Sequence, residues 1–591
     1  MKIISFLLWH ASFLLLAFFN NGVIIHALPY DYSATTECLK EPWKVQYGGG
    51  IIQNPEFNNG TAKWTVFRQG KIQERITRNG NKFIAASNRT HPSDGLSQRV
   101  FLVKGKLYAF SAWIQISQGS EIIAVKFRSQ SGGGDYLHGG TVIAEQGCWS
   151  MLKGGVVANL SGLVDLTFET NNTSVEVWID NVSLQPFTAK EWRFHQETTI
   201  AKVRKRKVKF QVTNKLDAKI TLKQTQADFP IGCEMNLNVL NNTKYRDWFI
   251  ASKFSVTTFA NEMKWYFTEK KTQGNENYTI PDAMLQFCEQ NNIAVRGHNI
   301  IWDDPNHQPT WFSSKINPEE LRKLVEKRLT SVVPRYKGRL IHWDVVNENL
   351  HFSFYEDKLG ENASAEIYGR AHELDEKPIL FMNEYSTIEV SKDVAAKPAN
   401  YARKLNNIVS YYMERNGGKM LPMGIGLQSR FAPGQPNFAY MRAGLDYLAS
   451  LGFPIWLTEV FVDAGENQAK YLDEVLREGY AHPGVKGIVI WPTSPFSKEC
   501  KMCLIDVNQN FKSTPTGDVV NKLISELRNS KEMEISADEQ GLFEAVLPLG
   551  DYEVSLRNPE TISCNNKLKI KVTENSDNFV HVKLDHTSCV K

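Results

Sequence analysis

A chain of 591 residues is longer than one ordinary core requires, so two to four domains are expected, at ~100–200 residues for a common domain and ~250 for a barrel. Apolar residues make up 42% and charged residues 22% of it, a balance that excludes a disordered chain. The net charge of +4 is small for this length and gives no reason to expect a nucleic-acid partner.

The N-terminus reads as a signal peptide over residues 1–27. Lys2 supplies the positive start, and residues 3–19 are apolar apart from Ser5, His10 and Ser12. A polar break follows at Asn20 and Asn21, and Ala27 suits cleavage. A membrane anchor is the other reading of such a run. No other segment looks membrane-spanning, so a secreted, extracellular or cell-wall protein without membrane contact after cleavage is expected. Eight cysteines fit an oxidising compartment without implying a disulfide scaffold. Cys500-Lys-Met-Cys503 lacks the second ligand pair or thioredoxin-like context of a zinc or redox site, which leaves a disulfide or two free thiols. Glycosylation sequons stand at Asn59, Asn88, Asn159, Asn171, Asn172, Asn181, Asn241, Asn277 and Asn362, a density that agrees with secretion.

After an irregular lead-in over 28–48, residues 49–187 alternate in short runs such as 107–116 and 175–179, separated by turn clusters such as Ser131-Gly-Gly-Gly-Asp135. That pattern predicts a β-sandwich. Residues 188–226 read as a connector. Its basic run from Arg204 to Lys209 alternates into Val208 and Phe210, which predicts a solvated strand face rather than a nucleic-acid patch. Over 227–530 short apolar runs alternate with amphipathic helical stretches. Eight strands are expected, at 229–233, 255–259, 294–298, 340–345, 379–383, 424–428, 455–459 and 487–491. Helices are expected at 318–327, 437–450, 468–478 and 519–527, among others. Eight strand–helix units predict a (β/α)₈ TIM barrel, whose active site lies at the C-terminal ends of the strands. Residues 531–591 read as a small β-rich tail, with runs 542–547 and 552–556 around a turn. The expected architecture is therefore multidomain: sandwich, barrel and small C-terminal β domain.

Polar residues gather at the strand ends. Strand two runs into Asn261, Glu262 and Lys264; strand three ends at His298, with Trp302 beyond. Strand four ends at Asn347 and Glu348, strand six at Gln428 and Arg430, strand seven at Glu459 and strand eight at Trp491. Any one of these suits a cap or a salt bridge; all of them on one rim point to a site. Two carboxylates facing across a barrel mouth suit glycosidic bond cleavage, one as proton donor and the other as nucleophile. Such a pair needs split pKa values, because one starts protonated and the other ionised. Flat Trp and Tyr faces, 14 and 20 in number, offer stacking surfaces for sugar rings, although most belong in cores.

Here the sequence resembles a known family. Trp343-Asp-Val-Val-Asn-Glu348 is similar to the acid/base motif of glycoside hydrolase family 10, the endo-1,4-β-xylanases, and Trp456-Leu-Thr-Glu459 to its nucleophile motif. Asn261-Glu-Met-Lys-Trp265, Arg296-Gly-His298 with Trp302, and Asn383-Glu-Tyr385 carry the resemblance further, over roughly 190–530. It implies Glu348 as general acid/base and Glu459 as nucleophile of a retaining xylan hydrolase. It further implies Asn347 on the sugar 2-hydroxyl, Asn261, Lys264, His298 and Gln428 holding the sugars before the scissile bond, and Trp302 and Trp491 as walls. No cofactor and no metal are expected; the partner is xylan or a related β-1,4-glycan. Residues 49–187 resemble carbohydrate-binding module family 22, through Asn54-Pro-Glu-Phe-Asn58, Ser111-Ala-Trp113 and 178–184. Trp113 and Tyr136 are its aromatic candidates, with a core role expected for Trp113.

Three positions depart from the family pattern. Ala260 replaces a glutamate before Asn261, removing an acceptor for sugar hydroxyls. Arg430 replaces a histidine that hydrogen-bonds the nucleophile. As a permanent cation it can pair with Glu459 and hold it ionised, lock it in a salt bridge, or fill the sugar site, and it counts among the substrate-site residues. Pro492-Thr-Ser-Pro-Phe-Ser497 replaces an aromatic, Gly-rich segment after Trp491, with Phe496 as a substitute wall. Loss of one positioning group costs a factor of ~10²–10³ rather than all activity, so the expectation is an active glycosidase. The alternative is a xylan-binding protein with a weak or silent barrel, acting through the sandwich.

Overall fold

The computed structural model describes residues 28–129, 136–212, 219–313, 315–528, 532–536, 538, 542–557, 567–574 and 580–584. The signal-peptide reading of 1–27 and the turn cluster Ser131–Asp135 lie outside the described residues.

Parallel strands close into a ring after the sandwich. They are β1 (Ile231–Met235), β2 (Val256–Phe259), β3 (Ala294–Trp302), β4 (His342–Asn347), β5 (Ile379–Glu384), β6 (Met423–Leu427), β7 (Ile455–Val462) and β8 (Val485–Ile490). Neighbours pair in sequence order from β1 to β6, β1 also pairs with β8, and β7 pairs with both β8 and β6. Each strand overlaps the stretch expected from the sequence. Every residue of β1, β2, β4 and β6 is buried, as a parallel sheet covered on both faces requires. The intervening helices follow their sequence signals. Pro318–Arg335 starts on the Asn317 side chain, which accepts from Glu320 N–H at 2.9 Å. It buries Leu321, Leu324, Val325, Leu329, Val332 and Val333, an apolar stripe at helical spacing. Among the described residues no helix is long and apolar enough to cross a membrane.

Ahead of the barrel stand two five-stranded antiparallel sheets, built from strands between Thr65 and Phe187. Leu107–Ile116 is a strand as expected, but all of it is buried. One face meets the opposing sheet. The other is covered in part by the lead-in, where Trp113, Phe83, Trp149 and Met151 form a cluster with Leu39 and Ala34 and a Cys38–Cys148 disulfide ties the two, and in part by the barrel side, whose core takes in Leu107 and Ala109. Trp113 is thus a core residue. Tyr136 is partly open, under the cations of Lys126, Arg128 and Lys392 at 4.6, 5.2 and 5.0 Å. A second disulfide joins Cys500 and Cys503; Cys233 and Cys288 are buried thiols.

Residues 188–226 do more than connect. A helix over Ala189–Val203 starts with a capping box between Thr188 and Glu191. Lys205–Val212 then lies between Leu542–Pro548 and Val580–Leu584, and Lys219–Ala227 lies between Met533–Ser536 and Gly550–Arg557. The tail and the second half of the connector share one core, including Val208, Phe210, Phe543 and Tyr552. The physical reason is strand pairing: an isolated two-stranded ribbon is marginal, and the partners arrive more than 300 residues later in the chain. The basic run is a strand face, as expected, with Lys207 and Lys209 paired to Glu544.

A buried polar knot docks the sandwich onto the barrel. Lys153 Nζ lies 2.9 Å from Asp446 Oδ2, with side chains 2% and 0% exposed. It also donates to the carbonyls of Asp31 and Ser33 at 2.8 and 2.7 Å. Tyr30 Oη and His482 Nε2 complete the ring around Asp446 at 2.9 and 3.0 Å. Beside it, a Cβ on Gly155 would fall 2.7 Å from the Ala439 methyl, so only glycine lets strand and helix approach. Removing one partner of a buried ion pair strands the other charge. Asp446→Ala should therefore cost about 3–5 kcal/mol, read as a lowered midpoint in denaturant unfolding; an unchanged midpoint would show that the knot contributes nothing.

Candidate active site

The C-terminal rim of the barrel gathers the polar residues singled out above. Asn383, at the end of β5, links the Glu459 carboxylate to Asn347 and to the backbone of Glu348. Its Nδ2 donates to Glu459 Oε1 at 3.1 Å and to Asn347 Oδ1 at 3.0 Å. Its Oδ1 accepts from Thr458 Oγ1 at 2.5 Å, which orients the amide. Its carbonyl accepts the Glu348 N–H at 3.0 Å. Glu348 has a φ of 60°, a left-handed conformation that costs about 1–3 kcal/mol for a residue with a Cβ. The barrel holds it there.

Trp302 Nε1 donates to Glu348 Oε2 at 2.9 Å, and Gln428 Nε2 donates to Oε1 at 2.8 Å. Burial pushes the Glu348 carboxyl up to about 7. The Gln428 and Trp302 donors oppose that, and the neighbouring Glu459 charge reinforces it. Glu459, 9% exposed in its side chain, meets donors: Asn383 and, at 3.3 Å from Oε2, Arg430. Arg430 reaches there from a short strand paired beyond β7, with its guanidinium 5.0 Å over the Phe461 ring. Its side chain remains 39% exposed, so it borders the mouth rather than filling it.

On the β2 side, Asn261 Oδ1 accepts from Tyr266 Oη at 2.6 Å and from Lys264 Nζ at 3.4 Å. Lys264 Nζ lies 4.5 Å over the Trp302 ring, a cation–π contact. Burial lowers the pKa of Lys264, and the charges of Glu459 and Glu348 oppose the shift. Glu262 turns inward and caps the N–H groups of Leu237 and Asn261 at 2.8 and 2.9 Å. His298 bonds Asp344 through Nδ1 at 2.8 Å, and Arg296 holds the other Asp344 oxygen at 2.6 Å. Burial and then Lys264 push the His298 pKa down, against the bond to Asp344. Burial alone would raise Asp344, but Arg296 and His298 outweigh it and hold the carboxylate low. Trp491 stands edge-on to His298 at 5.5 Å.

The structure thus brings Glu348, Glu459, Asn347, Gln428, Arg430, Trp302, Lys264, Asn261, His298 and Trp491 to one rim. Phe496 instead makes ring contacts with Tyr245 and Phe511 at 5.8 and 6.2 Å. Several partners went unnoticed in the sequence. Asn383 was visible only as part of a motif, and its bridging role needs the closed ring. His307 stacks on Trp302 at 4.1 Å and 11°. His351 stacks on Tyr385 at 3.7 Å and 8°. Burial lowers His351, but its bonds to Glu384 and Asp393 win and push it up to about 9. Asp344 was legible in principle, at alternate positions from the strand end.

A closed parallel barrel offering two interacting carboxylates at its mouth, one with its pKa raised by burial to about 7, defines a glycosidase of the two-carboxylate class. Residues 221–496 match Glycosyl hydrolase family 10, and residues 49–174 match a Carbohydrate binding domain. The chain is 40% identical over 577 residues to "Endo-1,4-beta-xylanase 5-like" of Arabidopsis thaliana, covering 96% of each. It is 37% identical over 583 residues to "Endo-1,4-beta-xylanase 4" of the same plant, again covering 96% of each. A solved xylanase 10B of Thermotoga petrophila in complex with xylobiose is 25% identical, with a TM-score of 0.44, covering 51% of this chain and 94% of that one. The chain belongs to glycosyl hydrolase family 10.

The raised Glu348 carboxyl carries a stability cost. A carboxyl whose folded pKa lies above its unfolded value favours the folded state below the unfolded pKa, and that advantage is lost as pH rises from about 4.5 through about 7. Glu348→Gln should accordingly stabilise the protein at pH 8 by up to about 3 kcal/mol, with little gain at pH 4. Melting curves at the two pH values read this; an equal gain at both would deny the shift.

Proposed function

We propose that this chain is a secreted retaining endo-1,4-β-xylanase acting on cell-wall xylan, with the N-terminal sandwich as its glycan-binding module. The observation that carries the reading is the Asn383-bridged pair, in which Glu348 is poised near neutrality and Glu459 receives donors. The named activity of the Arabidopsis thaliana relatives supports the substrate.

In the first step Glu348 gives its proton to the glycosidic oxygen while Glu459 attacks the anomeric carbon. The sugar–oxygen bond breaks, the leaving sugar departs as an alcohol, and a glycosyl ester forms on Glu459. In the second step Glu348, now a carboxylate, takes a proton from water. That water oxygen attacks the anomeric carbon and releases Glu459. Inversion at each step gives net retention. Asn347 Nδ2 is buried without a partner among the described residues, as a donor reserved for a sugar 2-hydroxyl would be. Asn261, Lys264, His298 and Gln428 hold the glycone, and Trp302 and Trp491 wall it. Arg430 acts on the nucleophile from the rim, where the family pattern has histidine.

Secretion is supported by the apolar leader, the two disulfides and the sequons. Asn59, Asn88, Asn159, Asn171, Asn241, Asn277 and Asn362 are exposed. Asn181 is not a fit acceptor: it is buried and its amide donates to Trp43 O at 2.7 Å. The silent-barrel alternative is not favoured, because both carboxylates and their donors are in place.

Reducing-sugar release from xylan should be present in the native chain and at least 10³-fold lower in Glu459→Ala, of the order seen for a lost catalytic group. Proton NMR should show the β-anomer as the first product. Release equal in the two proteins, or the α-anomer first, would refute the assignment. The basic limb of kcat/KM should fall near pH 7, and Gln428→Met should move it upward because a donor favouring the charged form is gone. An acid optimum with a limb below pH 5 contradicts this. Arg430→His should preserve or raise turnover; a tenfold loss, ~1.4 kcal/mol, would show that Arg430 has been recruited to the chemistry.

A further inference from the structure

A carboxyl group that the reaction scheme above leaves unused lies on the floor of the same cleft. Glu234 is the penultimate residue of β1, 5% exposed. Its neighbours Cys233 and Met235 belong to the core outside the barrel, where Met235 Sδ touches Cys288 of the helix Thr279–Gln290 at 3.8 Å. Side chains alternate along a strand, so Glu234 faces the barrel interior. It is in register with Thr258 of β2. Two residues further on in β2's direction stands Ala260, whose N–H bonds Met235 O at 2.9 Å and whose side chain carries no polar group.

This carboxyl is sparsely hydrogen-bonded. Among the described residues its one hydrogen bond is a long one, 3.4 Å from Asn236 Nδ2 to Oε1. Thr258 Oγ1, its in-register neighbour, is buried with no partner among the described residues, and so is Asn347 Nδ2 on the far side of the rim. Buried polar atoms are normally satisfied. Each such atom left unsatisfied costs about 1–3 kcal/mol unless a ligand completes it. The Lys264 ammonium, which the proposed reaction sets against the glycone, interacts electrostatically with Glu234 as well as with Glu459, Glu348 and Glu262. Burial first, and then Glu262, push its carboxyl up to about 8, against the Asn236 bond and Lys264. A neutral acid can both donate to and accept from a sugar hydroxyl.

We propose that Glu234 is a specificity-determining residue of the glycone site: it hydrogen-bonds a sugar hydroxyl from β1, supplying the acceptor that Ala260 does not provide from β2. The inference rests on the barrel mouth being the glycan site but not on which carboxylate is nucleophile. The chemical class it selects is an unbranched, polyhydroxylated pyranose at that position, since a substituent on the contacted oxygen would meet a buried carboxyl.

The test uses the full chain and aryl β-xylobiosides, intact and as a series lacking one glycone hydroxyl each. Glu234→Ala should lower kcat/KM on the intact substrate about tenfold to a hundredfold, and Glu234→Gln, an isosteric donor and acceptor, should keep most of it. One deoxy substrate should be poor for the native protein, with Glu234→Ala adding less than threefold further loss on it. That coupling would not arise from a merely structural role. Equal losses for Glu234→Ala across intact and deoxy substrates overturn the proposal, as does an unchanged kcat/KM. If the native chain cleaves none of these substrates, the proposed xylanase activity fails separately. Xylotetraose binding by calorimetry to native and Glu234→Gln and Glu234→Ala proteins then decides: weaker binding in the alanine variant alone supports it, and equal or undetectable binding overturns it.

Discussion

Closure of eight parallel strands into one ring is the constraint on which the site depends. Glu348 and Glu459 are 111 positions apart and sit on strands that do not pair with each other. Between β4 and β7 lie β5 and β6, and each contributes a side chain that spans the gap. Asn383 reaches Asn347 and Glu459, and Gln428 reaches Glu348. The ring therefore positions the carboxylates through the residues between them.

Such a mouth concentrates charge in a dry place. Glu234, Glu262, Lys264, Glu348 and Glu459 interact electrostatically across it. Burial favours neutral forms, and specific donors favour charged ones. Glu348 is held near neutrality because burial outweighs its two donors. Asp344 stays ionised because Arg296 and His298 outweigh burial. Both outcomes come from one ladder of alternating residues that faces into the cylinder. The left-handed backbone at Glu348 is strain of the kind found at functional sites, retained because the Asn383 carbonyl and the strand pairing leave no other path.

The accessory units are fastened differently. The sandwich meets the barrel through a buried ion pair and a glycine contact, at Lys153–Asp446 and Gly155–Ala439. The helix Ala189–Val203 adds Trp192 and Gln196, both donating to Glu478, which in turn pairs with Arg442. The C-terminal strands take their central partners from before the barrel. Chain entry and exit are thus clamped in one small β unit, and the barrel is an insertion between its halves.

The eight barrel strands and the two acidic residues were legible from the amino-acid order, because burial periodicity and turn chemistry are local. A run such as 455–459 announces a strand and its polar end without reference to anything distant. The alternation in 204–210 likewise announced a strand face, but not its partners, since register is set by residues hundreds of positions away. The full burial of 107–116 was equally hidden, because the covering lead-in is not a neighbour in its own sheet. Sequence alone put the acids and amides at the ends of the expected strands. Tertiary structure alone decided their state: that Glu348 is near neutral, that Arg430 touches Glu459 from the rim, and that Asn383 joins the pair. Protonation and hydrogen bonding depend on distance and on exclusion of water, and both exist only once the ring has closed.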